Sequence, residues 1–219
     1  MPLVRVVEDG GDKWVRLEIS RDVPTPVANA LRRAVINEVP TMAVEEVLVI
    51  ENSSAMPNEI LAHRISLIPF TADIDNYNLP EECTCGSKLG CEKCVVRYVL
   101  RAEAGEETIT VYSRDMQPEN PDTKVAPISG DFPIVTLAPG QRIELELYIR
   151  VGKGRKHAKW QSGIATLYEE DNRQYLYVES FGFLPAKRIV KEAVKIVNQK
   201  ISEFEQQFEE VIKRATEEA

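Results

Sequence analysis

Seven apolar residues near the C-terminus recur with the spacing 4, 3, 4, 3, 4, 3: Val190, Val194, Val197, Ile201, Phe204, Phe208 and Val211. That is a heptad seam, which lines one side of a helix and needs an apolar surface opposite. Pro185 opens the segment, and the helix can run almost to Ala219. At 1.5 Å per residue, 30 residues of helix reach roughly 45 Å, enough to outreach a small domain's core. Two readings follow from the residues. Either the helix lies wholly across its own sheet, or part of the seam packs on another chain. The Lys and Glu residues between the seam positions form its solvated face.

Upstream, Val23 to Phe70 predicts two short helices flanking a strand. Thr25 is placed to cap the first helix, with Pro26 just inside it. Val27, Ala30, Leu31, Ala34 and Val35 form its apolar face. Pro40 forces Val39 out of helical geometry, so the helix ends near Glu38. Met42 to Ile50 is rich in β-branched residues and apolar without alternation, as in a strand covered on both faces. A second helix starts near Pro57, carries Ile60, Leu61, Ile65 and Ile68, and stops at Pro69. Before this stretch, Leu3 to Val7, Gly10-Gly11-Asp12 and Trp14 to Ile19 read as a hairpin. After it, a polar linker from Ala72 leads into a cysteine-bearing loop. Strand candidates follow at Val95 to Arg101 and Glu107 to Ser113, with loop over Met116 to Phe132. Arg142 to Val151 alternates cleanly, and Gln174 to Glu179 returns the chain to the first sheet. Residues 73–163 therefore form a β-rich insertion.

All four cysteines fall within twelve residues: Cys83, Cys85, Cys91 and Cys94. Two close pairs across a short loop can fold four thiolates around one cation, and Zn²⁺ takes four thiolates tetrahedrally in structural sites. Gly86 and Gly90 permit the tight turns required, and Lys88 and Lys93 can offset negative charge. An iron–sulfur cluster and a metal-free set of thiols are the alternatives.

The 219 residues carry a formal net charge of −8. An acidic chain repels a phosphate backbone unless positive charge is concentrated locally. One run is strongly basic, Gly152 to Trp160, with Lys153, Arg155, Lys156, His157 and Lys159. It reads either as a phosphate contact with Trp160 as a stacking surface, or as a solvated loop after a strand. Neither a glycine-rich phosphate loop nor a nucleophile elbow occurs. Both histidines, His63 and His157, stand apart from the cysteines. Asp73, Asp75, Glu169, Glu170 and Asp171 read as turn residues rather than a Mg²⁺ site. No apolar run is long enough to span a bilayer, and no signal peptide is evident, so the expectation is a soluble cytoplasmic protein.

The run ALRRAVINEVPTMAVEEVLVIENSSAMPNEILAHRISLIPF resembles the D-type assembly subunit of archaeal RNA polymerase. It is similar to the eukaryotic third-largest polymerase subunit and, more distantly, to the bacterial alpha subunit. GKGRKHAKWQ is a second signature of that family. The resemblance implies an α+β fold with a discontinuous dimerisation domain, 1–72 and 164–219, and an inserted β-rich domain, 73–163, carrying the metal loop. It implies a non-catalytic assembly subunit of DNA-directed RNA polymerase, pairing with subunit L as a platform for the large catalytic subunits. Other small polymerase subunits would join it, DNA would be met only through the whole complex, and nucleotidyl transfer would belong to other chains.

The same resemblance assigns Leu31, Arg32, Arg33, His63 and Arg64 to contacts with neighbouring subunits. Lys156, His157, Lys159 and Trp160 would face the large subunits, and Val197, Ile201, Phe204 and Phe208 would face subunit L. The cysteine loop resembles the zinc loop of the eukaryotic relative, although its middle gap, GSKLG, is longer. No separate iron–sulfur domain is expected, because no cysteines lie between Gly163 and Gln174. The rivals are a stand-alone zinc-loop nucleic-acid-binding protein and a small zinc enzyme. The acidic charge opposes the first, and four cysteine ligands leave no open coordination position for the second.

Overall fold

A computed structural model describes residues 2–217. The chain forms two compact units. The first comprises residues up to Val39, Ser162–Ser180 and the segment from Pro185 onward; the second comprises Pro40–Gln161 with Phe181–Leu184.

The first unit is built on four antiparallel strands: β1 (Val4–Asp9), β2 (Trp14–Ile19), β9 (Gly163–Glu170) and β10 (Arg173–Ser180). Their order in the sheet is β1-β2-β10-β9. Alternation in β2 sends Val15, Leu17 and Ile19 into the core and leaves Trp14, Arg16 and Glu18 on the other face. On that outer face Arg16 lies over the rings of Tyr175 and Tyr168 and pairs with Glu8 and Glu170, tying the strands together. Helix α1 (Thr25–Asn37) packs on β9 and on helix α3 (Ala186–Glu217). The cap position of α1 is Pro24, so Thr25 does not cap. It lies inside the helix, and its Oγ1 accepts a hydrogen bond from Gln174 Nε2 at 3.4 Å.

Helix α3 changes character along its length. Ala186, Ile189 and Ala193 are buried, and the small alanines let the helix approach the sheet closely. From Asn198 to Thr216 every residue is exposed.

The second unit holds six strands: β3 (Pro40–Asn52), β4 (Val95–Glu103), β5 (Ile109–Tyr112), β6 (Met116–Pro118), β7 (Pro133–Leu137) and β8 (Arg142–Lys153). Four form an antiparallel sheet in the order β3-β8-β4-β6, and β5 pairs with β7 in a two-stranded sheet. Ile143, Leu145, Leu147, Ile149 and Val151 of β8 are all buried, as their alternation predicts. They share a core with Met42 and Val44 of β3, with Tyr98 and Leu100 of β4, and with Leu61 and Ile65 of helix α2 (Asn58–Ser66).

The boundary expected at residue 72 moves to Pro40, and that at 163 moves to Ser162. The cause is strand pairing: β3 runs against β8 from Pro40↔Lys153 to Asn52↔Ile143. Only the first part of β3 is covered on both faces; Leu48 and Ile50 are exposed. Strands β7 and β9 carry no clear signal in the sequence. The second hides behind an acidic end, and its true turn is Asp171-Asn172, both at positive φ (48° and 62°), as a tight hairpin requires.

Gly163 starts β9 where a Cβ would lie 2.0 Å from the carbonyl oxygen of Glu179 on the paired strand. Backbone cannot yield there, so Gly163→Ala is expected to destabilise the chain by about 1–3 kcal/mol. Gly105→Ala, where a Cβ meets nothing within 4 Å, is expected to be near neutral. Chemical denaturation of both variants checks this.

Candidate metal centre and partner surface

The chain arrives at the cysteine loop through a short turn at Pro80–Glu82 and leaves it into β4. Gly86 and Gly90 take φ of 64° and 84°, conformations that side chains with a Cβ disfavour. The turns bring the sulfurs together: Cys83 to Cys91 is 3.7 Å, Cys91 to Cys94 is 3.8 Å, and Cys85 to Cys94 is 4.0 Å. All four ligand atoms lie within 4.8 Å of one another. A tetrahedron of sulfurs 2.3 Å from a central ion has edges of about 3.8 Å. Three of the six separations match that edge and the rest lie within 4.8 Å, so the cluster fits a four-thiolate cation site after a contraction of at most about 1 Å.

The thiols differ in acidity. The backbone amide of Lys93 draws Cys91 down to about 7, whereas burial pushes Cys94 up to about 12. The backbone amide of Cys91 also donates to the Cys94 sulfur at 3.2 Å. A bound cation that pulls all four groups to thiolates removes this mismatch. The loop rests on the sheet through Cys94, Val95 and Tyr148, with Cys83 and Cys91 packed alongside.

The basic run does not offer a stacking surface. Trp160 is 1% exposed, and its Nε1 donates to the carbonyl of Arg150 at 3.1 Å. Lys159 and Lys156 lie over its ring, 4.4 and 5.1 Å from the centroid, and both pair with Glu45, at 2.8 and 3.0 Å. Burial pushes the Glu45 carboxyl up, but Lys159 and Lys156 outweigh it and the net shift is down. The stabilisation from this pairing is complete above the ordinary carboxylate pKa and is lost as pH falls through the depressed value. His157 Nδ1 accepts from the amide of Lys159, so it helps shape the turn. Two of the run's lysines thus share one carboxylate within the chain, which offsets part of its charge.

The other expected contact residues fall into two groups. Arg64 ties α2 to β7, donating to the carbonyls of Ile134 and Pro133 at 3.0 and 2.9 Å, so its guanidinium is already engaged. Arg32 donates to Asn29, and Leu31 is half-buried. Arg33 and His63 are both exposed. Within the first unit, Arg33 lines a groove of about 540 Å³ between α1 and α3, together with Val27, Ala30, Val197, Ile201 and Phe204. The seam continues outward from this groove. Ile201 is 60% exposed, Phe204 70%, Phe208 56% and Val211 61%, and the Phe204 and Phe208 rings stack at 6.1 Å on the helix surface. Ile212, outside the expected spacing, joins this stripe. Val27 and Ala30 of α1 belong to it too, although their spacing suits a core face.

Among the described residues, no helix is long and apolar enough to cross a membrane, and the only group of three or more His, Cys, Asp or Glu placed to hold a metal ion is the cysteine cluster.

Comparison with known proteins agrees with this architecture. The family described as the RNA polymerase Rpb3/RpoA insert domain matches residues 47–181. The chain is 42% identical over 168 residues to DNA-directed RNA polymerase subunit Rpo3 of Pyrobaculum neutrophilum, covering 77% of this chain and 62% of that protein. It is 40% identical over 192 residues to Rpo3 of Methanocaldococcus jannaschii, covering 87% and 88%. Against Rpo3 of Pyrobaculum arsenaticum it is 33% identical over an alignment of 264 positions, covering 99% and 98%. The match spans about three fifths of the length of the Pyrobaculum neutrophilum protein and about half, 49%, of Rpo3 from Methanosphaera stadtmanae. Matches of this length and order establish that the chain belongs to the Rpo3 family of DNA-directed RNA polymerase subunits.

Proposed function

We propose that this chain is a non-catalytic assembly subunit of RNA polymerase. It pairs with subunit L through the α1–α3 groove and the exposed half of α3, and the pair then carries the two large catalytic subunits. The observation that carries the reading is the uncovered seam from Ile201 to Val211. Monomeric proteins rarely leave such a contiguous apolar stripe in water.

Magnitudes say how it must be used. Burying four such side chains yields about 1.5–3 kcal/mol each, or roughly 6–12 kcal/mol in all. Association costs about 4–15 kcal/mol before any affinity appears. The stripe alone barely offsets that cost, so the groove beside α1 has to be filled as well.

In the cysteine loop the proposed ion is Zn²⁺. Cys83, Cys85, Cys91 and Cys94 would hold it, and it would supply a rigid, redox-inert crosslink rather than chemistry.

Two outcomes test these readings. Phe204→Asp is expected to leave the isolated chain's stability within about 0.5 kcal/mol of the parent, because the ring is exposed. It should weaken pairing with subunit L by about 2 kcal/mol or more, roughly 30-fold, as for an interface hot spot. Titration of the two purified subunits measures this, and unchanged affinity contradicts the placement of Phe204 in the interface. For the metal, elemental analysis of the purified chain is expected to give one zinc per chain. Cys91→Ser should lose the zinc and lower the unfolding midpoint; iron, or no metal, contradicts the assignment.

A further inference from the structure

Beyond the packing of Cys94, Val95 and Tyr148, one long polar side chain ties the cysteine loop to the sheet beneath it. Arg150 stands on β8, opposite Val95 of β4. Its Nη2 donates to the carbonyl oxygen of Lys88 at 2.5 Å and lies 3.3 Å from the carboxylate of Glu46 on β3. Lys88 is the middle residue of the five that separate Cys85 from Cys91. The contact therefore falls at the apex of the loop, between the two cysteine pairs.

Arg150 is not an ordinary surface arginine. Its side chain is 13% exposed, and its Nε is buried with no hydrogen-bond partner among the described residues. Arg101, toward the far end of β4, is well exposed and simply pairs with Glu144. Burying a guanidinium with an unused donor is unfavourable. The bond to the Lys88 carbonyl and the 3.3 Å pair with Glu46 both engage Nη2 and leave Nε unused, so the placement of this side chain under the loop has a cost that a role in the loop would account for.

We infer that Arg150 is a positioning residue for the metal, an inference that rests on the cysteine loop being a metal site. Two physical effects act together. A loop with glycines at positive φ at both ends, Gly86 and Gly90, has many conformations in which the cysteine pairs sit at wrong separations. Pinning Lys88 to the sheet removes most of them before the ion arrives, so binding loses less conformational entropy. Four thiolates around a divalent cation also leave two net negative charges. The Arg150 guanidinium, shared with Glu46, places its cationic end against the apex of the loop and offsets part of that charge, where a neutral side chain cannot. Glu46 completes the arrangement by orienting Arg150 from β3.

The test uses the full chain and zinc alone. Zinc affinity is measured by competition with a chromophoric chelator for the parent, Arg150→Gln, Arg150→Lys and Arg101→Gln. Groups that orient metal ligands are typically worth about 10- to 100-fold in affinity, and Arg150→Gln is expected to bind zinc more weakly by that factor. Arg150→Lys, which keeps the charge but not the fork, should fall between it and the parent, and Arg101→Gln should equal the parent. Unfolding midpoints of the metal-free forms separate positioning from structure: they should match for the parent and Arg150→Lys, while their zinc-loaded midpoints differ. Parental affinity in both Arg150 variants overturns the inference and leaves the metal reading intact. A stability loss that is the same with and without zinc also overturns it. A parent chain that takes up no zinc overturns the metal reading, and this inference with it.

Discussion

Helix α3 is longer than the surface it packs on, and most of what distinguishes the first unit follows from that mismatch. Its 32 residues span about 48 Å, whereas the strands of the sheet, six to eight residues each, reach about 20–26 Å. Side-chain size follows the same division. Ala186, Ile189 and Ala193 sit against the sheet, where small residues allow close approach. Phe204 and Phe208 lie beyond it, where nothing in the described chain covers them. Large aromatic side chains in water, on a helix that continues without a break, have a physical account if a second molecule completes the layer. The groove between α1 and α3 is where that layer would begin.

In the second unit the organising point is a bulge in β3. The register against β8 shifts between Val44 and Glu46, and the two adjacent glutamates serve different neighbours. Glu45 receives Lys156 and Lys159, while Glu46 receives Arg150. The basic run and the cysteine loop lie far apart in sequence, yet both are anchored to consecutive residues of one strand. In a chain of net charge −8, part of the one basic stretch is thus turned inward. Its lysines neutralise a half-buried carboxylate and cover the indole of Trp160.

The periodic elements are legible from the residues alone. The alternation of β8, the N-terminal hairpin and the cysteine spacing each state a local rule that the fold obeys; the heptad segment is helical, as its period states, but none of its seam residues is buried. What stays hidden depends on pairing between distant segments. No local signal says that β3 belongs with β8 rather than with α1, so a boundary drawn from composition falls at 72 instead of 40. Arg150 looks like part of a solvent face because Glu144, Glu146, Tyr148 and Arg150 alternate with the core residues of β8. A usable signal is present all the same: the acidic run gives way to an aromatic and then a cation, which marks where the loop covers the sheet. Trp160 misleads for the opposite reason, since an aromatic in a basic run suggests stacking on a ligand. Gly152, eight residues earlier, leaves room for its ring; a Cβ there would lie 2.4 Å away.

The central claim, that the far half of α3 awaits another chain, is tested most directly by amide hydrogen exchange across residues 198–216. The measurement is made on the isolated chain, at a concentration where it is monomeric, and again with subunit L added. Without tertiary contacts these amides are expected to exchange within the fast, fraying range, and pairing should slow them to the level of residues 186–197. Strong protection in the monomer, or no change when subunit L is added, would contradict the account.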